Sequence, residues 1–177
     1  VYTVQNRNSN LNMEVYGGTT VIANGANIVQ NTPAQTANQQ FIFTHLGNGV
    51  YKIMAVHSLK QVSVNDKQVA DSANVQQWLD SESDNQQFIL VNAGDGFYKL
   101  IAKYSGRVVD VLASGVAARA NIQAAVNNNQ TSAMWKLNPT TISTAADGLL
   151  CQMYNGMSFE NMAGTTKHAK VDFDWAL

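Results

Sequence analysis

The chain has 177 residues, of which 45% are hydrophobic and only 13% charged, and its net charge at pH 7 is −1. This length suffices for one domain and part of another, and the near-zero net charge gives no indication of nucleic acid as a partner. No apolar run approaches the roughly 18 residues needed for membrane insertion, and a single cysteine, Cys151, excludes a disulfide framework and a cysteine-based zinc site.

The chain begins with the strand-like run VYTVQN at Val1 and ends with DFDWAL at Leu177. No signal peptide precedes the first run, so we expect the chain to be a piece of a longer protein.

Three segments begin alike and indicate an internal repeat: VYTVQNRNSNLNMEV, VYKIMAVHSLKQVSV and FYKLIAKYSGRVVDV. Tyr2, Tyr51 and Tyr98 mark its period of 47 to 49 residues. Later landmarks keep the same phase, first three asparagines and then three aromatic residues expected in the core: Asn27, Asn74 and Asn121, then Phe41, Phe88 and Trp135. The turn signals LGNG and AGDG separate the repeats, because Gly, Asn and Asp tolerate positive φ.

The short apolar runs within each repeat are strand-like, since they partly alternate and contain β-branched and aromatic residues: YKIMAV, KQVSVN, NVQQWL and QQFIL. No segment of ten or more residues before position 140 keeps a helical period. The pattern therefore predicts an all-β fold with about four strands per repeat. A closed pseudo-threefold barrel capped by hairpins, the β-trefoil, satisfies this count and leaves no exposed sheet edge.

The order of these motifs resembles the ricin-B-type lectin β-trefoil, also called the family 13 carbohydrate-binding module. ANVQQW followed by DNQQFIL in the second repeat, and SGRVVDV in the third, carry the resemblance. It covers residues 1–138, with repeats of about 1–49, 50–96 and 97–138. The threefold recurrence makes the resemblance specific.

The tail resembles a second family, the protective-antigen-type β-sandwich. This resemblance rests on Gly148-Leu149, Tyr154, Phe159 and the run VDFDW at Val171 to Trp175. We expect residues 148–177 to be the truncated start of that domain, a partial β-strand tail, and residues 139–147 to be a linker.

The ricin-type resemblance implies a sugar site in each repeat. Its parts are an acid that accepts two vicinal hydroxyls, a glutamine, an aromatic ring face and an Asn-Gln pair. Carried over by position, the site residues are Glu14 and Asn38 in the first repeat, Gln76, Trp78, Asn85 and Gln86 in the second, and Asp110 and Gln123 in the third. No repeat is complete: Val29 and Asn31, Ser63, and then Ala125, Ser132 and Ala133 stand where the pattern expects other residues.

Structural roles compete with binding at several of these positions. Gln39 and Gln86 are expected to hold their hairpins together, and Trp78 is either a binding platform or a core residue. His57 and Tyr104 are candidates for the missing ring face, but packing against loops is the favoured interpretation. Asp110 is expected near the surface whether or not it contacts a ligand.

No catalytic arrangement is visible in the sequence. Most acids lie in turn signals, the three histidines occupy unrelated contexts, and no Gly-rich loop resembles a phosphate cradle. We therefore expect no enzyme activity, no cofactor and no metal. The predicted function is non-catalytic carbohydrate binding, as a module of a larger secreted carbohydrate-active protein. Its expected partners are an oligo- or polysaccharide and the neighbouring domains of the parent. The alternative is a structural or protein-binding trefoil that spaces domains and has lost its sugar sites.

Overall fold

The computed structural model describes residues 1–141, 149–155 and 161–168. The chain divides into two compact units, Val1–Ser143 and Thr144–Leu177. The described residues of the first unit contain no α-helix and twelve strands: β1 Tyr2–Asn6, β2 Asn12–Val15, β3 Ile28–Asn31, β4 Phe41–Gly47, β5 Val50–Ala55, β6 Gln61–Val64, β7 Ala73–Trp78, β8 Phe88–Gly94, β9 Phe97–Ala102, β10 Val108–Val111, β11 Ile122–Ala125 and β12 Trp135–Pro139. In the described part of the chain, no helix is long and apolar enough to span a bilayer.

Six strands close a barrel, in the order β1, β4, β5, β8, β9 and β12. The first and last strands of each repeat pair at an equivalent point, where a tyrosine lies opposite a core aromatic residue: Tyr2 opposite Phe41, Tyr51 opposite Phe88, and Tyr98 opposite Trp135. The ring closes where β1 pairs with β12, from Tyr2 opposite Pro139 to Asn6 opposite Trp135. Closure gives every barrel strand a partner on both sides, and it confirms the predicted β-trefoil.

The two turns between repeats follow the predicted signals. Gly47, Asn48 and Gly49 have φ of 96°, 51° and 73°, and the next turn repeats this with an aspartate at its centre. Glycine adopts these angles without strain, and Asn and Asp tolerate them better than other residues do. The turns lie where the sequence places the repeat boundaries, near residues 49 and 96.

Three hairpins, β2–β3, β6–β7 and β10–β11, cap one end of the barrel. The in-phase asparagines join them across the repeats: Asn27 Nδ2 donates to Asn121 Oδ1 at 2.6 Å, and Asn121 Nδ2 donates to Asn74 Oδ1 at 3.1 Å. The asparagine landmark of the sequence therefore holds the caps to one another.

Phe41, Phe88 and Trp135 are fully buried, as their recurrence predicts. They lie in one cluster with apolar residues from the barrel and the caps. The indole N–H of Trp135 donates to the carbonyl of Val109 at 2.9 Å, so its one polar atom is satisfied. Complete burial of each such side chain contributes about 1.5–3 kcal/mol.

Two buried glutamines tie neighbouring repeats together. Gln77 Nε2 donates to the carbonyls of Val21 and Ala23 in the first repeat, at 3.1 and 2.9 Å. Gln77 Oε1 accepts from the Ser58 hydroxyl at 2.7 Å. The equivalent Gln30 does the same for a loop of the third repeat, donating to Gly115 and Ala117 and accepting from Ser9.

The third repeat holds the loop of the second repeat by other means, because Ala124 stands where these glutamines stand. The Tyr104 hydroxyl donates to the carbonyl of Gln68, and Arg107 Nε donates to that of Val69 at 3.1 Å. His57 Nε2 lies 3.0 Å from the carbonyl of Val21. The loop contacts expected for His57 and Tyr104 are present.

The described strands of the second unit are β13 Leu149–Asn155 and β14 Asn161–His168, which form an antiparallel hairpin. Gly148, Phe159 and the run from Val171 to Trp175 lie outside the described residues. The protective-antigen resemblance therefore stays a prediction.

A chain that ends at Ser143 tests whether the first unit is self-sufficient. Because β1 and β12 already close the barrel, this truncated chain should unfold in one cooperative transition at the same urea midpoint as the full chain. Near-ultraviolet circular dichroism during urea titration is the measurement. Loss of the cooperative transition would show that residues beyond Ser143 are part of the folding unit.

Candidate functional site

The strand register of the caps supports the alignment of the three repeats. The position of the acid lies directly opposite the position of the glutamine in every cap: Glu14 opposite Val29, Ser63 opposite Gln76, and Asp110 opposite Gln123. Side chains directly opposite on a sheet lie close enough to act together. The three predicted sites therefore occupy equivalent places on the fold.

The second repeat carries an open pocket of about 220 Å³. Its lining is polar except for one indole, and it consists of Ser63, Asp66, Lys67, Gln76, Trp78, Ser81, Ser83 and Asn85. Three of the four predicted residues of this repeat line the pocket. The fourth, Gln86, does not: it is fully buried, accepts from Ser81 N at 3.0 Å and donates to the carbonyl of Leu79 at 2.8 Å. Gln86 holds its hairpin, as expected.

Trp78 is not a core residue, because 40% of its surface is exposed. One edge of its ring lies against a loop of the first repeat at Gly25. A Cβ added to Gly25 would lie 3.7 Å from Trp78 Cζ3, and the backbone there has φ of +82°. Gly25 N also donates to the carbonyl of Gln77 at 2.9 Å. The loop therefore supports one edge of an otherwise exposed indole.

Asn85 lines this pocket and is tied to the neighbouring strand β6 through its side-chain amide. Its Nδ2 donates to Ser63 Oγ at 3.1 Å and to the carbonyl of Val64 at 2.7 Å. Its Oδ1 has no hydrogen-bond partner, and neither does the hydroxyl of Ser83. Gln76 Nε2 is already engaged with Asn65 Oδ1 at 3.1 Å. Both oxygens are enclosed by the protein, and Asn85 and Ser83 form part of the polar wall of the pocket.

The loop that follows β6 contributes two pocket residues that the site pattern does not include. Asp66 and Lys67 form a short 3-10 turn and have left-handed φ of 47° and 52°. Lys67 Nζ lies 3.0 Å from Asp84 Oδ1. This contact holds the pKa of Asp84 below its ordinary value. One sequence feature could have pointed to Asp66, which is its position three residues after Ser63. That position lies in what looks like an ordinary turn.

Asp110 and Gln123 of the third repeat are both buried, at 5% and 6% exposure. Asp110 Oδ1 has no hydrogen-bond partner. Burial raises the pKa of Asp110 above its ordinary value, and the Ser132 hydroxyl offsets part of that rise. Ala125 stands where the second repeat has the indole of Trp78. The candidate site of the third repeat therefore has an acid but no aromatic ring face from this position.

Glu14 of the first repeat is fully engaged within the protein. Its Oε1 accepts from Asn31 Nδ2 at 3.0 Å, and its Oε2 accepts from Gln39 Nε2 at 2.6 Å. Asn38 Nδ2 donates to the carbonyl of Val15 at 3.1 Å, a bond that Asn85 repeats at Val64. Gln39 holds its hairpin as expected, and the acid is part of the same network.

Within the part of the chain that the structure describes, no three His, Cys, Asp or Glu side chains lie close enough together to hold a metal ion.

The chain belongs to the ricin-type β-trefoil lectin domain-like family, whose family model matches residues 37–125 and 84–166. It is similar to ThreeFoil, a designed threefold-symmetric protein, at 34% identity and a TM-score of 0.76 over 78% of this chain and 98% of that one. An exo-β-1,3-galactanase from Clostridium thermocellum is 28% identical, with a TM-score of 0.75 over 78% of this chain and 30% of the enzyme.

A ricin B-like lectin from Macrolepiota procera, solved in complex with lactose, shares the fold at 12% identity and a TM-score of 0.67, over 78% of this chain and 94% of the lectin. No curated protein sequence matches the chain significantly. The predicted ricin-type β-trefoil is confirmed, whereas membership of carbohydrate-binding family 13 stays a prediction.

Replacing Asp110 with Asn tests the electrostatic state of the third repeat. Because burial raises the pKa of Asp110 in the folded state above its unfolded value, ionisation of this carboxyl opposes folding. The contribution of the Asp110 carboxyl to stability is greatest below its pKa in the unfolded chain, and this contribution is lost as the pH rises through its pKa in the folded chain. As the pH rises through the folded-state pKa of Asp110, the Asp110→Asn variant should therefore become more stable relative to the parent chain.

The measurement is the free energy of unfolding in urea for both chains, from about pH 3 to pH 7. The other carboxyls titrate alike in both chains and cancel in the difference. A difference that stays constant, or that favours the parent chain increasingly as the pH rises, would contradict the raised pKa.

Proposed function

We propose that the chain is a non-catalytic glycan-binding module whose principal site is the pocket of the second repeat. The observation that carries this proposal is the exposed indole of Trp78 in an open pocket whose other lining residues, Asn85 among them, are polar. A sugar ring has an apolar C–H face that packs on an aromatic ring, and hydroxyls at its edge that bond amides. Both halves of this chemistry meet in one open pocket.

The other two repeats are proposed to have different roles. In the third repeat Asp110 and Gln123 are buried and no indole stands beside them, so sugar binding there is weaker. In the first repeat, Asn31 and Gln39 occupy both oxygens of Glu14, so the same residues serve to hold the cap.

The comparisons support a carbohydrate ligand. The family is that of ricin-type lectin domains, and the structure of the lectin from Macrolepiota procera contains lactose. A β-1,3-galactanase includes a region similar to this chain. Lactose and galactose-containing oligosaccharides are therefore the first probes to use.

A shallow open pocket of this kind should bind a single sugar unit with a dissociation constant of roughly 1 mM. Retention on a polysaccharide then depends on two sites acting together, or on other domains. This favours a module within a larger secreted carbohydrate-active protein, in which the residues from 148 onward begin a protective-antigen-type domain.

The second candidate is a structural or protein-binding trefoil that has lost sugar binding. The internal network around Glu14 favours it, because that repeat has turned its acid into a structural group. A glycan array on the full chain separates the two candidates. Binding to no glycan on the array would favour the structural trefoil.

Replacing Trp78 with Ala tests the principal site. Losing the ring face should cost about 1–3 kcal/mol of binding free energy. Since Trp78 is 40% exposed, the free energy of unfolding should change little. Calorimetric titration with the best array ligand, together with urea unfolding, measures both quantities.

Trp135→Ala is the matched control, because this fully buried tryptophan should cost about 3–5 kcal/mol of stability when truncated. If Trp78→Ala destabilises the fold as strongly as Trp135→Ala, or leaves sugar affinity unchanged, Trp78 is not the platform.

A further inference from the structure

Each repeat carries one acid at one of two places: on the second strand of the repeat, or three residues later. The residues at these two places are Glu14 and Gly17 in the first repeat, Ser63 and Asp66 in the second, and Asp110 and Ala113 in the third. The second repeat, which lacks the strand acid, is the one that has an acid in the following turn.

The turn has the same shape with and without the acid. Asp66 has φ of 47° and ψ of 29°, and its equivalent Ala113 has φ of 52° and ψ of 28°. Both lie in 3-10 turns that begin directly after the strand. The left-handed conformation at this point therefore belongs to the loop, and the carboxylate of Asp66 is an addition to it.

Asp66 lines the same pocket as Trp78 and Asn85. Among the described residues, none forms a hydrogen bond or ion pair with the Asp66 carboxylate. The neighbouring Lys67 is paired with Asp84 instead. The carboxylate of Asp66 is thus available to a ligand in the pocket.

Two residues of the third repeat fix the loop that carries Asp66. Tyr104 donates to the carbonyl of Gln68, and Arg107 donates to the carbonyl of Val69. A carboxylate on a loop that is held in this way loses less conformational entropy when it binds a ligand.

Ser63 does not replace the missing acid by itself. Its hydroxyl already accepts from Asn85 Nδ2, and one neutral oxygen does not grip two vicinal hydroxyls as a carboxylate does. A sugar held against Trp78 therefore lacks its acidic partner unless Asp66 supplies it.

We propose that Asp66 provides the acid of the second-repeat pocket, so that this pocket binds a neutral sugar with vicinal hydroxyls between the Asp66 carboxylate and the Trp78 ring. This assignment rests on the proposed function. The carboxylate repels an anionic ligand, so the ligand class is neutral glycans rather than uronic acids.

The test is a titration of the full chain with lactose, xylobiose and galacturonic acid, followed by the indole ¹⁵N–¹H signal of Trp78 in the NMR spectrum. The signal is assigned by its loss in Trp78→Phe, and it reports on this pocket alone. We expect lactose or xylobiose to shift the signal, and galacturonic acid to bind at least about tenfold more weakly.

Asp66→Asn is the decisive variant, since asparagine keeps the size of the side chain and tolerates left-handed φ. It should weaken the neutral sugar about tenfold or more, as expected for loss of hydrogen bonds to a charged group. Glu82→Gln, an exposed acid of the neighbouring loop outside the pocket lining, is the matched control and should leave affinity unchanged. The double variant Ser63→Asp with Asp66→Asn moves the acid to the strand and should restore binding to within about threefold of the parent.

Three results would overturn the assignment. If Asp66→Asn binds within twofold of the parent chain while Trp78→Ala does not bind, Asp66 has no role but the proposed sugar site stands. If the relocated acid fails to restore binding in a folded chain, Asp66 does not replace the strand acid. If neither neutral sugar shifts the Trp78 signal of the parent chain, the assignment and the proposed sugar site both fail.

Discussion

The hydrogen bonds from buried glutamine side chains to loop carbonyls of a neighbouring repeat hold this trefoil together. Gln30 and Gln77 each donate to two such carbonyls and accept from a serine of their own repeat. A buried amide left without a partner costs about 1–3 kcal/mol, so the fully buried Gln30 and Gln77 depend on these loop carbonyls. The caps of the barrel are therefore fixed from the adjacent repeat as well as from their own strands.

Side chains that donate to loop carbonyls also fix the two loops that border the pocket of the second repeat. The loop that supports Trp78 at Gly25 is held by Gln77, whereas the loop that carries Asp66 is held by Tyr104 and Arg107 of the third repeat. The two walls are thus fixed by different repeats. A change at Arg107 would reach the pocket without touching any residue that lines it.

The three capping hairpins share one backbone geometry, but the side chains at their candidate sites differ. In the first repeat an asparagine stands where the indole would be, and it turns inward to bond Glu14. In the third repeat an alanine at that place leaves the acid without a ring beside it. In the second repeat the indole remains and the acid lies in the next turn. The low content of charged residues agrees with the proposed neutral sugar ligand, whose hydroxyls would bond amides, hydroxyls and a few single acids.

The strands and the core could be predicted from the sequence because both recur in phase. Phe41 and its two equivalents keep the same spacing, and glycine-containing turns separate the repeats, so twelve strands follow, six in a closed barrel and six in its hairpin caps. The burial of Gln77 could not be predicted, since Gln76 and Gln77 are alike in sequence. The approach of a loop from another repeat encloses Gln77 completely, whereas Gln76 keeps 7% exposure and lines the pocket.

The same limit applies to the candidate site. The pattern identified Trp78 and Asn85 but placed Asp66 among ordinary turn acids, because position in a turn does not reveal which pocket a side chain lines. Likewise, Glu14 has the residue type of a sugar ligand, and only the fold shows Asn31 and Gln39 occupying both of its oxygens.

A crystal structure of the full chain soaked with lactose tests the central claim, that the principal sugar pocket lies in the second repeat. The account predicts a sugar ring packed on the face of Trp78, with hydroxyls at Asp66 and Asn85 and no sugar at Glu14. A sugar bound at the first repeat, with the pocket around Trp78 empty, would contradict it.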